Sequence, residues 1–299
     1  MENSQQTLQP ASYTRVLSRS EWQHQRTTHR ARVKPWVTDR VERAGIAQKH
    51  PVYDFLFTYY SFRPAYLMRW SPGADVLLQD IEACELDWPH DFLITGEGAY
   101  ISSRLFPAHR REYLAWALRY LTETTHRPAI FNCYGLHEWA MLYHEKNPRH
   151  SQVPLRLSPK EIARVVEGSE LRCTHYDAYR FFTPAATPLN RTRLSRETTT
   201  ENDQPGCIHV TMDLYKFAHK IAPWCPSDLM ADAFLLAADA REVDMRASPY
   251  DLHEFGLTPL RIEEPDGRSQ YIEAQRELSE RGMALRRRLI VSYQALFRL

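Results

Sequence analysis

Glycine is scarce in this sequence, with 10 residues among 299. Glycine lets a backbone approach a phosphate closely and serves the tight turns of β-sandwiches, so its scarcity argues against both features. The patterns G-x-G-x-x-G, Walker A, G-x-S-x-G and S-x-x-K are absent as well. These absences argue against a nucleotide-binding loop and against an enzyme with a serine nucleophile.

A strong charge of one sign is also lacking, since the net charge is +1. The protein as a whole therefore has no positive electrostatic field that would attract nucleic acid. Nucleic acid remains a weakly supported partner. No apolar run reaches the roughly 18 residues of a membrane span, and the polar start has no signal-peptide core. Five cysteines without a C-x-x-C pair indicate reduced thiols. We expect a cytoplasmic protein with no membrane partner.

Aromatic residues, in contrast, make up 12% of the chain, and helical patterns cover much of it. Ser158, Pro159 and Glu161 give the N-cap, first and third positions of a helix start. Apolar periodicity predicts further helices over residues 36–47, 52–60, 109–124, 210–222, 227–245 and 269–297. Residues 74–83 read as a short amphipathic piece, and residues 86–107 as irregular. The fold class is therefore mainly α, a single multi-helix domain with a few short strands or irregular segments.

The domain organisation follows from composition. Residues 1–34 are polar and rich in arginine, which predicts a basic, partly disordered N-terminal arm that either binds phosphate or is simply solvated. Residues 35–299 form the single helical domain. Within it, the polar residues 187–206 predict an exposed loop. The oligomeric state is not determined by these patterns.

The densest group of polar side chains in an apolar setting lies in residues 131–144. This stretch contains Asn132, Tyr134, His137 and Glu138 between large apolar residues. Unpaired burial of such groups is costly, so they need partners or a ligand. On one helix, His137 and His144 would be two turns, about 10 Å, apart, and the spacing is not that of H-E-x-x-H. His137 and Glu138 therefore need partners from other segments.

Several other segments supply candidate partners. His175 and Asp177 would share one face of a strand, with Arg180 as a fork for an anionic group; a helix start with Asp177 as its cap is the alternative. His50 and Asp54 are spaced i, i+4 close to Tyr59, and Arg246 and Tyr250 follow a helix end, where loops often build pockets. Two further groups read as structural: a salt-bridged face of His209, Asp213 and Lys216, and a run of acidic residues that includes Asp244.

Two kinds of site can be assembled from these residues. In the first, a divalent metal takes ligands from His50, His137, His175 and Asp177. In the second, a metal-free pocket uses His137, Glu138, His175 or Asp177 as acid or base. Tyrosines then stack on a planar ligand there. Its substrate-binding residues would be His50, Asp54, Tyr59, Asn132, Tyr134, Arg180, Arg246 and Tyr250.

Residues 50–60, 131–143, 174–189 and 244–252, with the turn at 261–268, resemble a family of bacterial and plant proteins labelled "3-methyladenine DNA glycosylase". The resemblance spans most of residues 50–298. It implies a nucleobase ligand and hydrolysis of an N-glycosidic bond, with Glu138 or Asp177 activating water. The glycine-rich hairpin and the Cys/His zinc pattern of other glycosylases are absent, so no catalytic residue is carried over by motif.

We therefore expect an enzyme that acts on a planar polar small molecule or a nucleobase, a hydrolase if the resemblance holds. The alternatives are a His/carboxylate metalloenzyme acting on a small molecule, and a protein that binds such a ligand without turnover. Stacking on aromatic rings and polar contacts to a buried His or carboxylate would serve recognition in all three cases.

Overall fold

The computed structural model describes residues 13–146 and 152–297. These residues form eleven α-helices: α1 (Arg19–Gly45), α2 (Asp54–Tyr59), α3 (Pro64–Leu67), α4 (Arg111–His126), α5 (Leu136–Ala140), α6 (Pro159–Glu167), α7 (Tyr176–Tyr179), α8 (Thr199–Asn202), α9 (Ile208–Lys220), α10 (Ser227–Arg246) and α11 (Pro265–Ala295). Four short strands accompany them: β1 (Arg15–Leu17), β2 (Val76–Leu78), β3 (Leu93–Thr95) and β4 (Gly98–Tyr100). The mainly α fold class is confirmed.

The principal core lies where α9 and α10 pack as an antiparallel pair against α11, with α4 packed on α11 and α1 packed on α10. Apolar residues recur on the contact faces of these helices, as the 3.6-residue period requires. Leu214, Phe217 and Phe234 are almost completely buried there. A second apolar cluster surrounds Trp139 and Tyr271 at the C-terminal end of α10. The candidate site described below lies at this end of the α9–α10 pair.

The strands form one small sheet in the order β1-β2-β4-β3. β1 pairs with β2 in parallel, whereas β3 and β4 form an antiparallel hairpin. The sheet occupies part of residues 74–83 and 86–107, which we predicted as an amphipathic piece and an irregular region. Strands of three residues are too short to show alternation in a sequence, and only pairing reveals them.

Helix α1 runs through the second half of the segment assigned to the N-terminal arm. It begins after Ser18, whose backbone N–H donates to the Glu21 carboxylate at 2.8 Å, a capping-box contact. Several of its arginines are in ion pairs: Arg30 with Asp87, Arg32 with Asp232, and Arg43 with Asp54. Residues 1–12 of the predicted arm lie outside the described part of the chain.

Most predicted helices are observed within a few residues of their expected bounds. The helix predicted from Ser158, Pro159 and Glu161 is α6, and Ser158 accepts the N–H of Glu161 as its cap. Residues 131–144 differ: only Leu136–Ala140 are helical, after a turn in which Tyr134 and Gly135 have positive φ. His137 and His144 therefore do not lie on one continuous helix.

Among the described residues, each helix is too short or too polar to span a membrane.

Gly267 lies in the first turn of α11, where the chain passes very close to itself. A Cβ at this position would be 2.0 Å from the carbonyl oxygen of Arg261, a backbone atom that no side-chain rotation can move. We expect Gly267→Ala to lower the free energy of unfolding by at least about 2 kcal/mol, measured by urea denaturation. Gly45→Ala is the matched control, because nothing lies within 4 Å of its added Cβ. Equal stability of the two variants would contradict this packing.

Candidate metal centre and its cavity

Three elements meet at the C-terminal end of α10. Helix α5 contributes His137, the first turn of α9 contributes His209, and the last turn of α10 contributes Asp244. One potential ligand atom from each of these three residues lies within 4.8 Å of the other two. Among the described residues, this is the group of His, Cys, Asp and Glu side chains that is compact enough to hold a metal ion.

The local backbone explains how His137 reaches this point. Gly135 has φ +67°, and a Cβ there would approach Ala247 and Tyr271 to 3.2–3.3 Å. The turn therefore packs directly against the end of α10 and the beginning of α11. Trp139 adds a hydrogen bond from its Nε1 to the carbonyl of Ala247 at 2.8 Å. These contacts hold the short helix α5 against α10, so His137 faces Asp244.

His137 and Asp244 are the closest pair of the cluster. His137 Nε2 lies 2.7 Å from Asp244 Oδ1, and the two side chains are 5% and 0% exposed. The two side chains form a buried ion pair. Burial disfavours a charge on either group, but the attraction between the two charges is the larger effect. It raises the pKa of His137 and holds the pKa of Asp244 well below its usual range. The two atoms converge as ligands of one ion would.

Arg241 bridges the carboxylates of Glu138 and Asp244. Its Nη1 donates to Asp244 Oδ2 at 2.6 Å and to Glu138 Oε1 at 2.8 Å. The guanidinium also lies 4.1 Å from the ring centroid of Phe55. Arg241 is 1% exposed. Asp244 is therefore oriented by a fixed cation on one oxygen, which leaves the other oxygen directed towards His137.

His209 lies between two other histidines. Its ring is 4.4 Å from that of His137, edge to face, and 5.4 Å from that of His175, nearly parallel. Burial, reinforced by the neighbouring histidines, lowers the pKa of His209 well below its usual value. A neutral imidazole is the form that binds a metal. No hydrogen bond joins its ring to another side chain in the part of the chain that the structure describes.

His175 is held by a separate carboxylate. Its Nδ1 lies 3.0 Å from Asp203 Oδ1, and the Tyr120 hydroxyl donates to Asp203 Oδ2 at 2.6 Å. Burial opposes protonation of His175, but the carboxylate outweighs it and raises the pKa of the imidazole. Asp203 is completely buried at the end of the segment 187–206, which we predicted as an exposed loop. The buried end of this segment therefore holds His175 in place beside His209.

A cavity of about 340 Å³ opens beside the cluster. Its walls are largely aromatic and apolar. Its polar groups include Glu138, His209 and Arg241 next to the cluster, and Asp177 of α7. Lining residues include Phe55, Tyr59, Phe181, His209, Arg241 and Tyr250. This volume suits a small planar molecule, and the mix of apolar walls with a few fixed polar groups is typical of ligand pockets.

Three thiols lie on the far side of the histidines. Cys133, Cys173 and Cys207, together with His137 and His209, line a separate cavity of about 20 Å³, which is large enough for one water molecule. Burial raises the pKa of all three thiols. Burial therefore favours the neutral thiol over the thiolate, which is the form in which cysteine binds metals.

The structure brings together several residues that the sequence singled out. His137 lies in the cluster, and Glu138, Asp177, Tyr59 and Tyr250 line the cavity. His175 stacks on His209 rather than joining the ligands. Asp177 is in helix α7 and pairs with Arg180 at 3.0 Å, so the strand that would align it with His175 is not observed.

Other predicted residues lie elsewhere. His50 and Asp54 hydrogen-bond to each other at the start of α2, where Asp54 pairs with Arg43 at 2.6 Å. Tyr134 packs under Arg268. Arg246 donates to the carbonyl of Thr258, and Asn132 lies in the turn before α5 with its buried Oδ1 unpartnered among the described residues. None of these five lines the cavity beside the metal ligands.

Sequence reasoning missed three residues of the centre. We interpreted His209 as part of an exposed salt-bridged face, and Asp244 as one of several helix acids; Arg241 received no role. Asp213, on that supposed face, is 3% exposed and accepts a hydrogen bond from Tyr60 at 2.9 Å. The available signal was that His209 begins one predicted helix and Asp244 ends the next, which places the two residues together if the two helices pack antiparallel.

No protein-family model, curated protein or solved structure matches this chain.

Proposed function

We propose that the protein is a metal-dependent enzyme acting on a small planar molecule. His137, His209 and Asp244 would hold one divalent transition-metal ion at the end of the aromatic cavity. The observation that carries this proposal is the convergence of one potential ligand atom from each of these three side chains to within 4.8 Å, with His137 Nε2 and Asp244 Oδ1 only 2.7 Å apart. A shared cation would take the place of the proton in the His137–Asp244 ion pair and would also bind the ring of His209, because metal ligands must be deprotonated.

The donor set fits such an ion. Two imidazoles and one carboxylate are found both in catalytic zinc sites and in non-haem iron(II) sites. A tetrahedral site places its ligand atoms about 3.4 Å apart, so ligands now within 4.8 Å need only small side-chain rotations. Arg241 orients the carboxylate, a contact of the kind that tunes metal affinity in known sites.

The same geometry supports chemistry on a molecule in the cavity. His209 lines that cavity, so open positions on an ion there would face the substrate. A bound ion would polarise a substrate oxygen or lower the pKa of a water ligand. Phe55, Tyr59 and Phe181 would hold the planar body of the substrate.

The decisive experiment is a metal titration. The purified protein is stripped with a chelator and titrated with Co²⁺, whose visible d–d absorption reports its coordination. We expect one Co²⁺ to bind per chain, with the absorption spectrum of a four- or five-coordinate ion. Absence of stoichiometric binding, together with a chain that remains folded, would refute the metalloenzyme.

A second candidate function is hydrolysis of an N-glycosidic bond, as the sequence resemblance implies. Asp177, partly exposed in the wall of the aromatic cavity, favours it, because a carboxylate beside a stacked base could activate water. The test is release of free base from alkylated DNA and from alkylated nucleosides. Release by the metal-stripped protein that is lost in Asp177→Asn would support this reaction instead of the metalloenzyme.

A further inference from the structure

Arg241 has donors that the protein itself does not use. Only its Nη1 contacts the carboxylates of Glu138 and Asp244. Its Nε and Nη2 have no hydrogen-bond partner among the described residues, although the side chain is 1% exposed. Leaving buried guanidinium N–H groups unpaired is costly. Because Arg241 also lines the 340 Å³ cavity, a ligand in that cavity is the available partner.

The charge of the site favours an anionic ligand. Glu138 and Asp244 carry two negative charges around the single positive charge of Arg241. A divalent ion with neutral imidazole ligands would leave this buried group with one surplus positive charge. A surplus charge is expensive in a low-dielectric site, and a substrate with one negative charge would cancel it.

Among possible anions, the shape of the site favours a carboxylate. A guanidinium binds a carboxylate through two parallel N–H···O contacts, and the unpaired Nε and Nη2 form such a pair of donors. The cavity that Arg241 lines also has the rings of Phe55, Tyr59 and Phe181 in its walls. The Phe55 ring lies against the guanidinium itself, with its centroid 4.1 Å from Arg241 Cζ.

We propose that the substrate is a small aromatic carboxylate whose carboxyl group binds the Nε–Nη2 edge of Arg241 while its ring lies between the aromatic walls. This inference rests on the proposed metal-dependent function for the charge argument, and on Arg241 and the cavity for the rest. Arg241 is thereby the residue that selects acids over neutral molecules of the same shape. Specificity of this kind is strong, because a neutral analogue leaves the buried donors unpaired.

The test compares benzoate with benzamide, two probes of nearly equal shape that differ in charge. Binding is measured by calorimetry on the Co²⁺-loaded and on the metal-stripped wild-type protein. We expect benzoate to bind at least tenfold more tightly than benzamide to the Co²⁺ form. We also expect benzoate to bind more weakly to the stripped form. Equal affinity of the two probes for the Co²⁺ form would overturn the proposal without any variant.

Arg241→Lys then separates recognition by the guanidinium from direct coordination to the ion. Lysine keeps the charge but lacks the paired donors. We expect benzoate affinity to fall at least tenfold while benzamide affinity is unchanged. Arg246→Lys, on the same helix but with its guanidinium bound to Thr258, is the matched control. Undiminished benzoate binding by a folded Arg241→Lys protein, with a shifted Co²⁺ spectrum, would show that the carboxylate binds the ion instead.

The two proposals fail in different ways. If no Co²⁺ binds but benzoate binding still depends on Arg241, the metal-dependent function is wrong and the acid-binding site stands. If Co²⁺ binds stoichiometrically but benzoate and benzamide are not distinguished, the metal site stands and the acid-binding site is wrong.

Discussion

We expect His209→Ala to lower the affinity for Co²⁺ at least about 100-fold, since changes that merely touch a ligand already cost 10- to 100-fold. His209 is the best ligand to remove. His137 and Asp244 form a buried charged pair, and removal of one partner would destabilise the protein by about 3–5 kcal/mol. The ring of His209 makes no hydrogen bond to another described residue, so its loss leaves no buried charge unpaired.

The measurement is a Co²⁺ titration of both proteins, with the melting temperature recorded for each. His219→Ala is the control, because His219 is on the same helix α9 but stacks on Phe62 at 3.6 Å, outside the metal cluster. We expect the control to bind Co²⁺ as the wild type does. Equal loss of Co²⁺ binding in the two variants, or no loss in His209→Ala, would contradict the assignment of His209 as a ligand.

The second large effect is expected at Trp139. This side chain is completely buried in the apolar cluster that supports the site, and its Nε1 hydrogen-bonds to Ala247. Trp139→Ala should reduce the free energy of unfolding by about 3–5 kcal/mol, through loss of buried apolar area and the cavity that remains. Because Trp139 also holds α5 against α10, the variant should bind Co²⁺ more weakly even below its unfolding transition.

Two variants test the cause. Trp139→Phe keeps most of the apolar contact and loses the hydrogen bond, so a loss of only about 1–2 kcal/mol is expected. Trp116→Ala removes a partly exposed tryptophan that stacks on Tyr120 and should cost less than Trp139→Ala. Stability is measured by urea denaturation with tryptophan fluorescence and circular dichroism. A Trp139→Ala protein as stable as Trp116→Ala would show that α5 is not held by this contact.

Much of the fold could be predicted from local patterns. Helices α4, α6, α9, α10 and α11 show either a regular apolar period or a recognisable start, and each is observed near its predicted place. The strands could not be predicted, because three residues carry no period and Val76–Leu78 is a strand only through its neighbours β1 and β4. The bounds of the short helix α5 could not be predicted either, because apolar residues flank Gly135 on both sides.

The site was predictable only in part. His137 and Glu138 stood out because polar groups in an apolar stretch need partners, a condition visible in the sequence. His209 and Asp244 did not stand out, since each occupies a helix position where a polar residue is common. They are 35 residues apart in sequence, and they approach each other only because α9 and α10 pack antiparallel.

The sequence by itself determined the helical class and the segment around His137, because helix period and the cost of buried polar groups are local properties. The tertiary structure decided which residues share the site. It placed Asp244 against His137, set His209 between His137 and His175, and left part of Arg241 without a partner beside the cavity. The physical reason is that coordination and pairing depend on distances between side chains of different helices, and these distances are set by packing.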